Sequence, residues 1–139
     1  MAELAAWECY DLLSSEGLGR MCVIDRGYPI AYPVNYRLVQ TVGTPRIIFR
    51  TSPNAAMTRC EGAASFEVDH VSPARGQAWS VIARGHLRRL FGVQHLPDTM
   101  PLVSIQRHQW MELDITSVTG RRFVVAGQDE FSTEWTLAT

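Results

Sequence analysis

Alternation of apolar and polar side chains dominates this chain from residue 18 onward, and a period of two predicts strands. Over residues 63–70, Ala64, Phe66, Val68 and His70 fall on one face, with Ser65, Glu67 and Asp69 on the other. Residues 77–90 read as one long strand, with Trp79, Val81, Ala83, Gly85 and Leu87 facing one way and Ser80, Ile82, Arg84, His86 and Arg88 the other. Gly85 in its middle predicts a bulge or a close backbone approach. Residues 18–25 and 28–38 flank Arg26-Gly27, a tight-turn dipeptide, and residues 46–51 follow the turn signal Gly43-Thr44-Pro45, so these three segments form a meander. In residues 109–118 Met111, Leu113 and Ile115 alternate with Glu112, Asp114 and Thr116; Thr119-Gly120 then predicts a turn before a shorter strand over 121–126.

Helical spacing is confined to two places. Leu4, Trp7, Leu12 and Leu13 predict a helix within residues 1–16, stopped at Ser14-Ser15-Glu16-Gly17. Residues 53–60 have few strand formers and predict two helical turns ended by Gly62. Residues 73–76 read as a loop, 92–104 as a loop with room for a short helix, and 127–139 as a tail without a period. Six or seven antiparallel strands with so few helices must protect their edges, which favours a small barrel over an open sheet. The expected organisation is one mainly β domain over residues 1–139.

Composition narrows the function classes. With 13 basic and 14 acidic residues in 139 the net charge is −1, so no basic footprint points to nucleic acid and no polybasic segment to a membrane surface. No apolar run has the length of a bilayer span, and Glu3 and Glu8 with no basic stretch are unlike a signal peptide, so a cytoplasmic protein is expected. Cys9, Cys22 and Cys60 lack metal-ligand spacing and read as buried thiols in a reducing compartment. The histidines at 70, 86, 95 and 108 are scattered and suggest no zinc site; His70 reads as half-buried.

The candidate chemistry lies in residues 47–54. An apolar strand runs into Arg50, Thr51 and Ser52 and then into the expected helix start at Pro53. Arg50 can fork onto two phosphate oxygens, the hydroxyls can donate, and free N–H groups at a helix N-terminus carry partial positive charge. The alternative is that Thr51 or Ser52 caps the helix while Arg50 pairs with a surface carboxylate. Asn35, beside Pro33 in an apolar strand, calls for a specific partner. Glu67 and Asp69 form a solvated face or a salt bridge to Arg84.

The ordered segments LLSSEGLGR (12–20), YPVNY (32–36), IIFRTSP (47–53), FEVDH (66–70), WSVIARG (79–85) and TGRRF (119–123) resemble the pyridoxamine 5′-phosphate oxidase-like family of flavin-binding split-barrel proteins. The resemblance implies a six-stranded antiparallel split β-barrel, a homodimer, and FMN or a related deazaflavin in grooves at the dimer interface. Carried onto this chain, it implies that Arg50 and Thr51 hold the phosphate, that Phe49 and Ser52 belong to the cofactor-binding set, and that Asn35 and Tyr36 line the flavin groove. Trp79, Ser80 and Val81 would pack near the ring system, Arg84 farther along, and Arg121 or Arg122 would reach toward the neighbouring subunit. The chain departs from the family where a glycine, a small residue and a lysine usually follow: it has Asn54, Ala55 and Ala56. Losing the lysine's charged contact costs about 1.5–3 kcal/mol, or roughly ten- to a hundredfold in affinity.

Two functional readings follow from the resemblance. One is an FMN- or deazaflavin-dependent reductase of small electrophiles, not an authentic pyridoxamine phosphate oxidase, since the arginine- and histidine-bearing C-terminal segment of the true oxidases is not matched by Glu134 to Thr139. The other is a non-catalytic protein that sequesters flavin (FMN or FAD), deazaflavin or haem, or a cofactor-free dimer.

Overall fold

The structure, a computed structural model, describes residues 2–40, 43–92 and 108–125. A two-residue strand β1 (Ala2–Glu3) and a helix α1 (Ala6–Ser15) precede β2 (Leu18–Asp25), β3 (Tyr28–Val39), β4 (Arg46–Thr51), β5 (Gly62–Ser72), β6 (Gln77–Leu90) and β7 (Gln109–Val124). All pairings are antiparallel, and the order β7–β4–β3–β2–β5–β6 closes through a β6–β7 pairing into a ring of six strands. Closure gives each strand of the ring a partner on both sides. The ring is thinnest between β2 and β5, which pair only across Arg20–Glu67, Met21–Phe66 and Cys22–Ser65.

Local chemistry fixes the register. Arg26 (φ 52°) and Gly27 (φ 85°) both take the left-handed conformation that a two-residue hairpin with the correct twist requires. The inward row of each strand is the apolar row: Met21 and Val23, Ile47 and Phe49, Phe66 and Val68, Val81, Ala83 and Leu87, then Met111, Leu113 and Ile115 are all buried. Helix α1 packs on this core through Cys9 and Leu13, both fully buried. Its start is tied by the Ala5 N–H donating to the Glu8 carboxylate (3.1 Å). Trp7, expected on the apolar stripe, is 67% exposed. It lies about 200° around the helix from Cys9, the residue that does face the core.

Gly85 sits at a register shift between β6 and β7, as its place in the alternation predicted. Thr119-Gly120, in contrast, is no turn: β7 runs without a break through both residues. A Cβ on Gly120 would lie 2.8 Å from Cys9 Sγ, so the glycine serves the close approach of α1 to β7. Residues 53–60 do not make two helical turns. Ser52 C=O accepts the Ala55 N–H (3.0 Å), and only a four-residue 3-10 helix, Ala56–Arg59, follows. Burial of Met57 and Cys60 pins this segment, and Arg59 clasps Asp25 through two bonds of 3.0 and 3.1 Å. Cys22 is only partly buried, because it lies on the outward row between Met21 and Val23. The expected helix within 92–104, the predicted strand end at Ala126 and the tail 127–139 lie outside the described residues.

Candidate functional site

On the outer face, β3, β4 and β7 bring Asn35, Arg50 and Trp110 together. Arg50 pairs directly with Trp110 across β4 and β7, and Tyr36 with Phe49 across β3 and β4, so Asn35 falls one residue beyond on the outward row. The result is an open groove of about 400 Å³ bordered by Asn35, Tyr36, Phe49, Arg50, Thr51 and Trp110. Arg37 and Ile48 line it as well, which alternation along β3 and β4 makes readable once the register is known.

The groove holds unused polar groups. Neither the Arg50 guanidinium, the Asn35 amide nor the Thr51 hydroxyl has a partner among the described residues. Arg50 therefore does not pair with a carboxylate there, and Thr51 and Ser52 cap no helix. Trp110 is only 6% exposed, yet its indole Nε1–H has no acceptor among the described residues. Burying a donor unpaired costs about 1–3 kcal/mol, so a native protein that does so has a use for it.

Three expected features of this site change. The short 3-10 helix after Ser52 offers no run of free N–H groups, so the cationic and hydroxyl side chains alone make the groove attractive to an anion. Ser52 is exposed and does not line the groove. Tyr36 borders it but turns inward: its ring meets Phe66 edge-on with centroids 4.7 Å apart, and its hydroxyl donates to the Leu13 carbonyl. Tyr36 is thus a strut between the barrel and the end of α1.

Burial raises the Tyr36 pKa well above the ordinary value, reinforced by Glu16. A phenol whose folded pKa is raised contributes stability below its unfolded pKa of about 10, and that stability is lost as pH rises through and beyond this value. Tyr36→Phe should therefore cost about 1 kcal/mol at neutral pH, through the lost bond to Leu13, and flatten the alkaline limb of the stability profile. Urea denaturation at several pH values between 7 and about 11 checks both; a parallel alkaline decline in the variant would contradict it.

The remaining expected site residues lie elsewhere. Ser80, Arg84 and Arg121 border a second cavity of about 450 Å³ against β1, and Trp79 and Arg122 a third of about 340 Å³ at the β5–β6 turn. Val81 points into the barrel and is fully buried, so only its backbone is open to a ligand outside. Glu67 and Asp69 pair with Arg20, not Arg84; Arg20 stands directly opposite Glu67 on β2, whereas Arg84 stands opposite Ser65. Burial pushes the Glu67 carboxyl up despite that arginine. His70 is more exposed than expected, stacked on Trp79 (centroids 6.3 Å apart) and 3.2 Å from a Glu16 carboxylate oxygen. Cys9, Cys22 and Cys60 are free thiols, each with its pKa raised chiefly by burial, which disfavours a nucleophilic thiolate.

Alternation assigned Glu112 to a polar face, yet it is 2% exposed, gripped by Arg46 (2.7 Å) and Arg88 (3.0 Å) on the two neighbouring strands. The opposed arginines were the available signal, but they become neighbours only in the folded register. Among the described residues no cluster of His, Cys, Asp or Glu is gathered for a metal, and no helix is long and apolar enough to cross a membrane.

A six-strand antiparallel ring opened between β2 and β5, with a groove on its outer face, defines a split β-barrel. The chain belongs to the pyridoxamine 5′-phosphate oxidase family, whose model matches residues 6–122. Among solved structures, an FAD binding protein from Mycobacterium smegmatis is 28% identical, with a TM-score of 0.72 over 90% of this chain and all of that one. An FAD-binding protein from Mesorhizobium loti is 20% identical, with a TM-score of 0.69 over 88% of this chain and 97% of its own. An FAD and heme binding protein from M. smegmatis is 13% identical, with a TM-score of 0.64 over 96% of this chain and 80% of that one. No curated protein matches the chain.

Proposed function

We propose that this protein binds a flavin nucleotide in the groove between β3, β4 and β7, with Arg50 and Thr51 on the phosphate and Asn35 and the Trp110 indole N–H on polar edges of the ligand. The observation that carries the reading is the set of three polar side chains, Asn35, Arg50 and Thr51, lining one groove with no partner among the described residues, beside a Trp110 indole N–H that is buried without an acceptor among them. An uncharged ring system with an anionic tail is the ligand class that uses all of them. The M. smegmatis FAD binding protein at 28% identity supports a flavin and favours FAD as well as FMN. The bound flavin would supply two-electron redox chemistry. The chain's own contribution is binding and orientation, in keeping with a reductase of small electrophiles. A flavin carrier is the second reading, favoured because Arg50, Thr51, Asn35 and Trp110 include no side chain suited to general acid–base work near neutral pH.

A homodimer fits this reading, since Trp7, Ile24, Tyr28 and Val124 are large apolar side chains more than 60% exposed on this chain. It would let Ser80, Arg84 and Arg121 of one subunit approach the groove of the other. Sedimentation should give twice the chain mass; a monomer at micromolar concentration would remove that second set from the site. The reading as a whole is tested by the visible absorption of the purified protein and by fluorescence titration of the stripped protein with FMN, FAD and haem. Saturable binding of a flavin supports it. Binding of haem alone, or of none of the three, overturns it. Turnover of a quinone by the flavin-loaded protein with a nicotinamide donor would separate the reductase from the carrier.

A further inference from the structure

Three strands bring a second cationic cluster together away from the groove. His70, Trp79 and Arg122 are consecutive partners across β5, β6 and β7, so they stand side by side at one end of the sheet. The turn joining β5 to β6 adds Arg75, and the last pair of that hairpin is Ser72 with Gln77. These six residues border a partly enclosed cavity of about 340 Å³ with no carboxylate in its lining. The turn is anchored at both ends: Gly76, with φ 61°, donates its N–H to the Pro73 carbonyl (3.2 Å), and its own carbonyl accepts the Val125 N–H (2.9 Å). Arg75 is therefore carried on an ordered turn.

Glu16 lies 3.2 Å from His70, but the two guanidinium charges are uncompensated among the described residues. Arg20, Arg46, Arg59, Arg88 and Arg89 each hold a carboxylate, but neither Arg75 nor Arg122 has a partner among the described residues. Two guanidinium forks on one cavity repel each other and gain by sharing an anion, and their planar donor geometry matches phosphate or carboxylate oxygens. The Ser72 hydroxyl and Gln77 amide can complete such a shell.

We infer that this cavity is an oxyanion site separate from the groove, taking a phosphate or carboxylate group. The anion has two sources: a free small molecule, or the second phosphate of a dinucleotide flavin, the latter resting on the flavin reading above. Calorimetric titration with inorganic pyrophosphate tests the cavity itself. Arg75→Gln and Arg122→Gln should each weaken binding by about tenfold. Arg26→Gln, which removes the same charge at a hairpin tip outside this cavity, should leave it within about twofold, and the wild-type affinity should fall as salt rises. Equal effects at Arg75 and Arg26, or no pyrophosphate binding together with unaltered FAD binding in Arg75→Gln, would overturn the inference.

Flavin titrations of Arg75→Gln separate the sources. Weaker FAD with unchanged FMN assigns the anion to the dinucleotide's second phosphate. Unchanged FAD and FMN with weaker pyrophosphate assigns it to a free molecule. Equal weakening of FMN and FAD would make the cavity part of the flavin groove and overturn its separateness. If neither flavin binds the wild type, the flavin reading fails while the pyrophosphate arm still reports on the cavity. Matching thermal melts of all variants confirm that folding is preserved.

Discussion

Gly85→Val is expected to lower stability by about 3 kcal/mol and the melting temperature by on the order of 10 °C. At the register shift between β6 and β7, a Cβ on residue 85 would lie 2.0 Å from the Asp114 carbonyl oxygen and 2.8 Å from its carbon. These are backbone atoms, so no rotamer change relieves the clash. Asp114 is also held on its far side, where it pairs with Arg46 of β4, so β7 cannot move away without breaking a second ladder. Relief requires dissolving the bulge, and with it the pairing that closes the barrel. Gly17→Ala is the control: a Cβ there meets nothing within 4 Å, and the change should stay within about 0.5 kcal/mol. Urea denaturation of both variants measures the difference; a Gly85→Val protein as stable as wild type would show that the close approach is not native.

Arg50→Ala should weaken FMN by roughly ten- to a hundredfold, equivalent to about 1.5–3 kcal/mol, while changing riboflavin, which has no phosphate, by less than about twofold. Only a four-residue 3-10 helix follows Ser52, so in the flavin reading Arg50 supplies the charge at the groove's phosphate end. Its side chain is exposed and spans no packing contact of the core, so stability should hardly change. Arg50→Lys should recover only part of the loss, because an ammonium keeps the charge and gives up the two-pronged geometry. Equal losses for FMN and riboflavin would make Arg50 a structural residue.

The sequence carried most of the barrel because its signals were local. A two-residue alternation survives in every strand that has one wet face, and Arg26-Gly27 and Gly85 mark positions where backbone geometry restricts the residue. The misreadings came from contacts distant in sequence. Gly120 looked like a turn because its reason, the Cys9 sulfur, is more than a hundred positions away. Glu112 looked solvated because Arg46 and Arg88 become its neighbours only after β4, β6 and β7 align. The segment after Pro53 looked helical on composition, but burial of Met57 and Cys60 sets its shape.

The candidate site divides along the same line. Arg50 and Thr51 were legible as cations and hydroxyls at a strand end, whereas Trp110 joins them only through the β4–β7 register, as Arg75 joins Arg122 only through the β5–β6 turn. Tyr36 borders the groove, as its strand led one to expect, but its side chain turns inward, opposite to Asn35, and its hydroxyl donates to the Leu13 carbonyl.

The groove's role is tested most directly at its buried donor, which has no acceptor among the described residues. In a nuclear magnetic resonance titration with FAD, the indole N–H resonance of Trp110, assigned by its loss in Trp110→Phe, should shift in step with flavin saturation as that donor gains an acceptor. A Trp110 resonance that stays in place while FAD binds would put the flavin elsewhere, and a protein that binds no flavin at all would contradict the account at its root.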